Sequence, residues 1–395
     1  MRIQLLDLQK QYEEIKKETD EAVINVVSSG AYIMGPNVKS FESEFAQYIG
    51  VKHAISVGNG TDALVIALKA MGIGQGDEVI TTAYTFFATA EAISFVGAIP
   101  VFVDVCLDTY NIDATKIEEK ITSKTKAIMP VHIFGLCADM DEINKIAKKH
   151  NLYVIEDACQ AAGAVYKGKR AGALCDIACF SFFPTKNLGC AGDGGMITTY
   201  NDELAVICKA LRVHGSGEMG QRAYNLLNNI SAEVEEDTAS DNTVYNAKKY
   251  YNYLIGHNSR LDEIQAAMLR IKLKKLDEYI SKRRKNAVFY TEKLKNSGKY
   301  VTPIEEANNL HAYHQYILQS EHRETIITEL EKKGIGTGIY YPIPLHLQKC
   351  YNSLGYKAGD LPNAEYLSHR TFAIPVFPEL SKDEADYIVK ALLEE

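Results

Sequence analysis

Short apolar runs alternate with segments of helical periodicity from residue 53 to residue 182. Strands are predicted at 53–57, 78–82, 101–105, 127–132, 153–157 and 177–182, and helices at 61–71, 85–96 and 139–150. This alternation is typical of a mostly parallel sheet with helices on both faces. Ligands of such sheets bind at the carboxyl ends of the strands. We therefore expect the functional residues where the strands end.

The pattern changes towards the C-terminus. The predicted elements there are a helix at 260–278 that continues to 294, strands at 313–318 and 336–340, a helix at 325–333, and a closing helix with the capping box Ser381 and Glu384. A chain of 395 residues exceeds the size at which one core stops growing, about 250–300 residues. We predict a large domain of residues 1–275 and a smaller C-terminal α+β domain of residues 276–395.

Composition and charge narrow the possible partners. The formal net charge is −8, which disfavours a nucleic-acid surface. No apolar run reaches the roughly 18 residues of a membrane span, and the first residues are charged and amphipathic rather than a signal peptide. The eight cysteines include no CxxC pair. These observations predict a cytoplasmic protein with reduced thiols that binds neither nucleic acid nor membranes.

One lysine stands out in the stretch 180–197. Lys186 lies on a predicted turn between an apolar strand and the glycine-rich segment 192–195. Desolvation at the end of a core strand lowers the pKa of a lysine, so that the free amine can attack a carbonyl and form a Schiff base. Most lysines are surface charges, and on this stretch alone that alternative stays open.

Two other strand ends carry candidate chemistry. The segment 58–62 reads Gly-Asn-Gly-Thr-Asp and opens directly into a helix, so its backbone amides could bind a phosphate. Asp157 follows an apolar strand, where a carboxylate is costly to bury without a cationic partner. A pyridinium nitrogen would be such a partner. Each feature also fits a plain capped turn when taken alone.

Taken together, these stretches resemble a known family. The motifs are GNGTDAL (58–64), TTAYTFFAT (81–89), EDACQAAGA (156–164), SFFPTKNLGCAGDGG (181–195) and GHNSRLDEIQAA (256–267). In this order they are similar to the DegT/DnrJ/EryC1/StrS family of pyridoxal phosphate-dependent sugar aminotransferases. The resemblance implies the aspartate aminotransferase-like α/β fold, fold type I, with a mostly parallel seven-stranded sheet in the large domain. It also implies pyridoxal 5'-phosphate as cofactor.

The resemblance further implies roles for residues around the cofactor ring. Lys186 would be the catalytic residue, because it would form the Schiff base with the cofactor and then act as general acid and base. Asp157 would pair with the pyridinium nitrogen, Gln160 would bind the phenolic oxygen, and Phe86 would stack on the ring.

Other residues are implied to bind the phosphate and the substrate. The phosphate group would be held by Gly60, Thr61, the backbone of Asp62, Ser181, and Asn258 of a neighbouring subunit. The active site would therefore be shared within a homodimer. Substrate-binding positions would be Arg260, Tyr340 and Tyr341. No metal ion is expected.

The implied reaction is transfer of an amino group from L-glutamate to a nucleotide-linked keto-hexose. The segments 341–348 and 354–365 are most similar to members that aminate C3 of a dTDP- or UDP-linked 3-keto sugar in deoxyamino sugar biosynthesis. Amination at C4 of a 4-keto-6-deoxy sugar is the alternative. Dehydrating relatives carry histidine in place of Lys186, so transamination is favoured. A non-catalytic, regulatory protein that binds pyridoxal phosphate is the competing hypothesis from another class.

Three further features have structural and functional interpretations. Residues 220–253 form an expected insertion, acidic and rich in tyrosine, which is either a solvated surface loop or a lid over the active site. His346 and Cys350 could ligate a metal but lack a second pair, so a structural role is expected. His132, at a predicted strand end, is expected to be a satisfied histidine of the core or of its rim.

Overall fold

The computed structural model describes residues 2–231 and 250–394. Its strands are β1 (His53–Val57), β2 (Glu78–Thr82), β3 (Ile99–Val103), β4 (Thr125–Met129), β5 (Tyr153–Asp157), β6 (Val165–Tyr166), β7 (Lys169–Arg170), β8 (Ile177–Ser181), β9 (Gly195–Thr199), β10 (Asn309–Leu310), β11 (Tyr316–Gln319) and β12 (Thr371–Ile374). Seven of them form one sheet in the order β1-β9-β8-β5-β4-β2-β3. All neighbours are parallel except β9, which is antiparallel to β1 and β8. The predicted mostly parallel seven-stranded sheet is confirmed.

Helices cover both faces of this sheet and build the C-terminal region. They are α1 (Leu8–Ser29), α2 (Pro36–Ile49), α3 (Gly60–Ala70), α4 (Ala88–Phe95), α5 (Met140–His150), α6 (Asp202–Leu211), α7 (Gly217–Leu227), α8 (Glu263–Leu273), α9 (Leu276–Leu294), α10 (Arg323–Lys332), α11 (Pro362–Ser368) and α12 (Lys382–Glu394). One apolar cluster packs α2 and α5 on one face, and a second cluster packs α3 and α6 on the other.

A separate apolar cluster holds the C-terminal elements together. It joins α9, α10 and α12 to the β11–β12 pair. Ile3 belongs to this cluster, and its backbone exchanges hydrogen bonds with Gly334 and Gly336 at 2.8 and 2.7 Å. The first residues of the chain therefore pack with its last third. The proposed division at residue 275 coincides with the break between α8 and α9 and stays a prediction.

Several predicted boundaries are corrected. The helix predicted from 85 begins at Ala88, and the helix predicted from 260 begins at Glu263, after Asp262 caps it by accepting a hydrogen bond from the N–H of Gln265 at 2.9 Å. No strand forms at 336–340, because only Gly338 pairs with β12 there. The strand predicted at 101–105 lies two residues earlier, and the strand predicted at 127–132 begins two residues earlier and ends three residues earlier.

The prediction for the closing helix is confirmed, whereas the prediction for the insertion at 220–253 is partly corrected. The capping box of α12 is confirmed, because Glu384 Oε2 accepts from the Ser381 N–H at 2.9 Å and Ser381 Oγ accepts from the Glu384 N–H at 3.2 Å. The insertion is not simply a loop, because its first residues belong to α7. Residues 232–249, and with them the lid hypothesis, lie outside the described residues.

Within the described ranges, no helix is both long enough and apolar enough to cross a membrane. All eight cysteines lie in these ranges, and each is free.

Candidate active site

A cavity of about 680 Å³ lies at the carboxyl ends of the central strands. Its lining consists of Asn59, Gly60, Thr61, Leu64, Thr85, Phe86, Ala88, Thr89, Val131, Phe134, Asp157, Cys159, Gln160, Ser181, Phe183, Thr185, Lys186, Asp193, His314, Gln315, Ile339, Tyr340 and Tyr341. The strands β5 and β8 deliver Asp157 and Ser181 as their last residues. The candidate residues therefore lie where the strand pattern predicts them.

Lys186 projects into this cavity from the turn after β8. Its backbone N–H donates to the carbonyl of Phe183 at 2.9 Å. The turn is tight at Gly189, where an added Cβ would lie 2.4 Å from the Pro184 carbonyl oxygen, so only glycine fits. Burial lowers the pKa of the Lys186 amine, although Cys159 and Asp157 act in the opposite direction. A larger fraction of the amine is therefore unprotonated and nucleophilic than in a surface lysine.

The Asp157 carboxylate is almost completely buried and is oriented by two donors. Its Oδ2 accepts from Thr89 Oγ1 at 2.8 Å, and its Oδ1 accepts from the Cys159 N–H at 3.2 Å. The side chain is in contact with the cavity and only 4% of the residue is exposed. A carboxylate can accept about four hydrogen bonds. Asp157 therefore has capacity left for a cationic N–H donor in the cavity.

The amide of Gln160 is fixed by its hydrogen bonds. Its Oε1 accepts from the Phe134 N–H at 2.8 Å, and its Nε2 donates to the Tyr341 hydroxyl at 2.9 Å. The amide nitrogen carries two hydrogens, so one donor stays available for an oxygen atom in the cavity.

The N-terminus of α3 forms an anion site at one end of the cavity. Asn59 caps the helix, because its side chain accepts from the Asp62 N–H at 2.8 Å. An added Cβ at Gly60 would lie 2.7 Å from Cβ of Ser181 and 3.1 Å from Sγ of Cys159. The glycine lets the backbone amides of the helix approach the hydroxyls of Thr61 and Ser181. Helix dipole, amides and hydroxyls together favour a phosphate.

Aromatic side chains form part of the cavity wall. Phe86 is 57% exposed, and its ring centroid lies 6.3 Å from that of Tyr341. Tyr341 stacks on Phe134 at 6.4 Å. The carbonyl of Tyr340 accepts from the Tyr84 hydroxyl at 2.5 Å, which holds this loop against the large sheet. The wall offers flat apolar area to a planar ring.

Comparison with known proteins decides the family. The model of the DegT/DnrJ/EryC1/StrS aminotransferase family matches residues 13–393. The chain belongs to this family.

Three similar proteins show the range of names in the family. A pleiotropic regulatory protein of Geobacillus stearothermophilus is 46% identical, over 100% of this chain and 98% of that protein. The UDP-2-acetamido-2-deoxy-3-oxo-D-glucuronate aminotransferase of Pseudomonas aeruginosa is 40% identical, over 99% of each chain. The crystal structure of S. venezuelae DesV in complex with a ketimine intermediate matches with a TM-score of 0.90 and 38% identity, over 100% of this chain and 98% of that chain.

The cavity of this aminotransferase fits pyridoxal phosphate, the cofactor of the family. Lys186 is a partly buried lysine that could bind the aldehyde, and Asp157 is a buried carboxylate that can accept a further hydrogen bond from the ring nitrogen. Gln160 has an amide hydrogen left for the phenolic oxygen, and Gly60 at the start of α3 leaves room for the phosphate group. All four residues line the cavity.

Three of the implied site residues lie outside the cavity lining of the aminotransferase chain. Asp62 lies in the first turn of α3, two residues after Gly60. Asn258 is exposed, and Arg260 is partly exposed. Neither of the latter two lines the cavity of its own chain within the described residues.

The sequence also missed residues that the structure brings into the site. Thr89, Cys159 and His314 line the cavity, and Thr89 contacts Asp157 directly. Thr89 ends the motif TTAYTFFAT (81–89) and lies four residues after Thr85, whose hydroxyl is 3.3 Å away. Neither signal assigned it a role beside Asp157.

The remaining histidine predictions concern structural roles. His132 is fully buried, its Nε2 lies 2.9 Å from Glu156 Oε2, and its Nδ1 accepts from the Ala138 N–H at 3.2 Å. It is a core histidine, as expected. His346 is buried beside Glu365, and Cys350 is exposed. The described ranges contain no group of metal-ligating side chains of the required size.

Proposed function

We propose that this aminotransferase transfers the amino group of L-glutamate to C3 of a nucleotide-linked 3-keto hexose. The convergence of Lys186, Asp157 and the α3 N-terminus on one cavity carries the proposal. The name of the Pseudomonas aeruginosa relative, a 3-oxo sugar-nucleotide aminotransferase, supports the acceptor class and the carbon.

Each polar residue of the cavity would have its own role in the reaction. When bound, pyridoxal phosphate supplies an electrophilic carbonyl and a ring that accepts electrons. Lys186, whose amine has a lowered pKa, would hold the cofactor through Nζ and would take up and return a proton as general base and acid. The Asp157 carboxylate would accept a hydrogen bond from the ring nitrogen and so keep that nitrogen protonated. Gln160 Nε2 would donate to the phenolic oxygen.

The aromatic wall would position the acceptor. Phe86, Tyr340 and Tyr341 all line the cavity. Their rings can pack against the cofactor and the sugar and exclude water from the reacting atoms. Gln160 Nε2 donates a hydrogen bond to the Tyr341 hydroxyl, so a residue proposed to bind the cofactor also positions a residue proposed to bind the acceptor.

A product assay tests the position of amination. The holoenzyme is given glutamate with UDP- and dTDP-linked 3-keto sugars, and separately with the matching 4-keto-6-deoxy sugars. We expect 3-amino products, identified by NMR of the purified nucleotide sugar. Formation of 4-amino products alone would establish the C4 alternative instead.

We further propose that the active site is completed in a homodimer, with Asn258 and Arg260 supplied by the neighbouring subunit. Asn258 is exposed, and exposed apolar side chains occur at the cavity and near Asn258. Phe86 and Phe183 are 57% and 50% exposed, and Ile255 is 90% exposed. Apolar surface of this kind is typical of subunit contacts.

Mixing two inactive variants tests this arrangement. Dimers formed from Lys186→Ala and Asn258→Ala subunits contain one site with both changes and one unchanged site. Co-refolding equal amounts should restore about one quarter of wild-type activity, since about half of the dimers are mixed. If no activity returns although mixed dimers form, Asn258 acts in its own subunit.

A regulatory function is the second candidate, because the relative from Geobacillus stearothermophilus is named a pleiotropic regulatory protein. It requires a cofactor-binding protein without turnover. Lys186, Asp157 and Gln160 line one cavity, which supports the enzyme. Cofactor binding without conversion by any amino donor would favour the regulator.

A further inference from the structure

A second cavity of about 280 Å³ adjoins the active site; we call it the rear chamber. Thr185, His314, Gln315 and Tyr340 line both spaces. The rear chamber is otherwise bounded by Gln4, Arg283 and the apolar side chains of Leu5, Leu6 and Val376. It therefore starts one residue from Lys186 and extends towards the C-terminal cluster.

Arg283 is the charged group of the rear chamber. It is only 4% exposed, and its Nη1 donates to the carbonyl of Tyr313 at 3.1 Å. Its Nε is buried without a hydrogen-bond partner. Burial lowers the pKa of the guanidinium to about 10, with Glu379 acting in the opposite direction. The group is therefore cationic at neutral pH and has an unused donor.

His314 is the second unsatisfied group. It is 7% exposed, and its Nδ1 has no hydrogen-bond partner. Burial, followed by the charges of Lys186 and Arg283, holds the pKa of His314 well below its usual range. The ring is neutral and offers one donor and one acceptor. Lys186 and Arg283 therefore both lie close enough to His314 for their charges to lower its pKa.

We propose that the rear chamber binds the side-chain carboxylate of a dicarboxylic amino donor; this rests on the proposed transamination. The Nε edge of a guanidinium binds a carboxylate through two parallel hydrogen bonds. With Nη1 of Arg283 held by a carbonyl, that edge is the part left for a ligand. Leu5, Leu6 and Val376 suit the methylene groups of the donor, and its amine would lie near Lys186.

The charge of the surroundings is compatible with an anion. Glu379 is the acidic group that acts on Arg283, and both of its carboxylate oxygens lack hydrogen-bond partners. It does not line the rear chamber, whereas Arg283 does. An anion in the rear chamber therefore meets the guanidinium of Arg283 first.

Two variants test the proposal, each with a control. Arg283→Gln removes the cation, and Arg284→Gln changes its partly exposed neighbour, which pairs with Glu305. Because a buried arginine variant can fail to fold, Gln4→Glu is the second variant. Gln4 is an exposed residue of the rear chamber, so the change should be tolerated while its new charge repels a carboxylate. Gln4→Asn is its neutral control.

The first measurement is the donor half-reaction of the holoenzyme, followed by absorption with L-glutamate and with L-glutamine. We expect both test variants to raise the apparent Kd of glutamate at least about tenfold, the effect of losing or opposing one charge-assisted contact. The Kd of glutamine, which has a neutral side chain, should change little. Equal losses for both donors, or a raised KM for the keto sugar alone, would overturn the proposal.

Glutarate binding tests the carboxylate site independently of whether the protein catalyses transamination. Glutarate has the carboxylates of the donor without its amine, and calorimetry detects its binding without turnover, with or without cofactor. We expect binding to wild type and controls and an at least about tenfold weaker affinity in both test variants. If no donor is converted but glutarate binds in this pattern, transamination is wrong and the carboxylate site stands. Unchanged glutarate affinity in both variants contradicts the site.

Discussion

The hydroxyl of Thr89 donates a hydrogen bond of 2.8 Å to Oδ2 of Asp157. Thr89 lies on the first turns of α4, and Asp157 is the last residue of β5. Both are buried, with 1% and 4% of their surfaces exposed. The contact orients the carboxylate in the cavity, where the proposed mechanism would use it to accept a hydrogen bond from the ring nitrogen of the cofactor.

Removing this hydrogen bond should slow the enzyme without unfolding it. Thr89→Val keeps the shape of the side chain but loses the donor, so kcat should fall about 10- to 100-fold, as expected for a hydrogen bond to a charged group worth about 1.5–3 kcal/mol. Thr89→Ser retains the hydroxyl and should keep most of the activity. Steady-state kinetics with glutamate measure both variants. Equal activity of Thr89→Val and wild type would show that Asp157 does not depend on Thr89.

The close approach at Gly60 makes a second prediction. In Gly60→Ala the new methyl group would lie 2.7 Å from Cβ of Ser181, which forces the start of α3 away from the phosphate site. We expect the Kd of pyridoxal phosphate to rise about tenfold or more, since overpacking costs about 1–3 kcal/mol. Fluorescence titration of the apoenzyme measures this affinity. Gly74→Ala is the control, because its nearest contact would be 3.7 Å away; an equal loss in both variants would contradict the account.

Buried histidines should make the protein sensitive to acid. Burial lowers the pKa of His311 to about 3, whereas in the unfolded chain it is about 6.5. Between these values the unfolded chain binds a proton that the native state excludes. The free energy of unfolding should therefore fall as pH falls from about 6.5, by up to about 1.4 kcal/mol per pH unit for this residue.

Urea unfolding at several pH values measures that slope. His311→Asn should reduce the slope by about one proton between pH 6.5 and 4, whatever its effect on stability at neutral pH. His369 is exposed, and His369→Asn should leave the slope as in wild type. An unchanged slope in His311→Asn would show that the pKa of His311 is not lowered in the native state.

The sequence predicted the parts of the site that depend on strand ends. Asp157 and Ser181 end apolar strands, and Gly60 begins a helix, so local patterns placed them together at one edge of the sheet. The loop at 336–340 follows no such pattern. The carbonyl of Tyr340 accepts a hydrogen bond from the Tyr84 hydroxyl, and local sequence does not predict such a long-range contact.

The sequence could not predict the rear chamber, because its residues are far apart along the chain. Gln4, Thr185 and Arg283 come from three distant parts of the chain. Arg283 is part of a basic run on a helix, where the ordinary expectation is a solvated charge. Only the packing of α9 against the β11 region buries it and leaves Nε without a partner.

The central claim is that Lys186 forms the covalent attachment to pyridoxal phosphate and acts in amino transfer. The visible absorption spectrum of the purified holoenzyme, recorded before and after addition of glutamate, tests it most directly, beside Lys186→Ala. We predict a Schiff-base band in wild type that glutamate converts to the spectrum of the amine form, and a variant that cannot return from that form when a keto acid is added. A wild-type protein that shows no such band in the presence of pyridoxal phosphate, or a variant that cycles normally, would contradict the account.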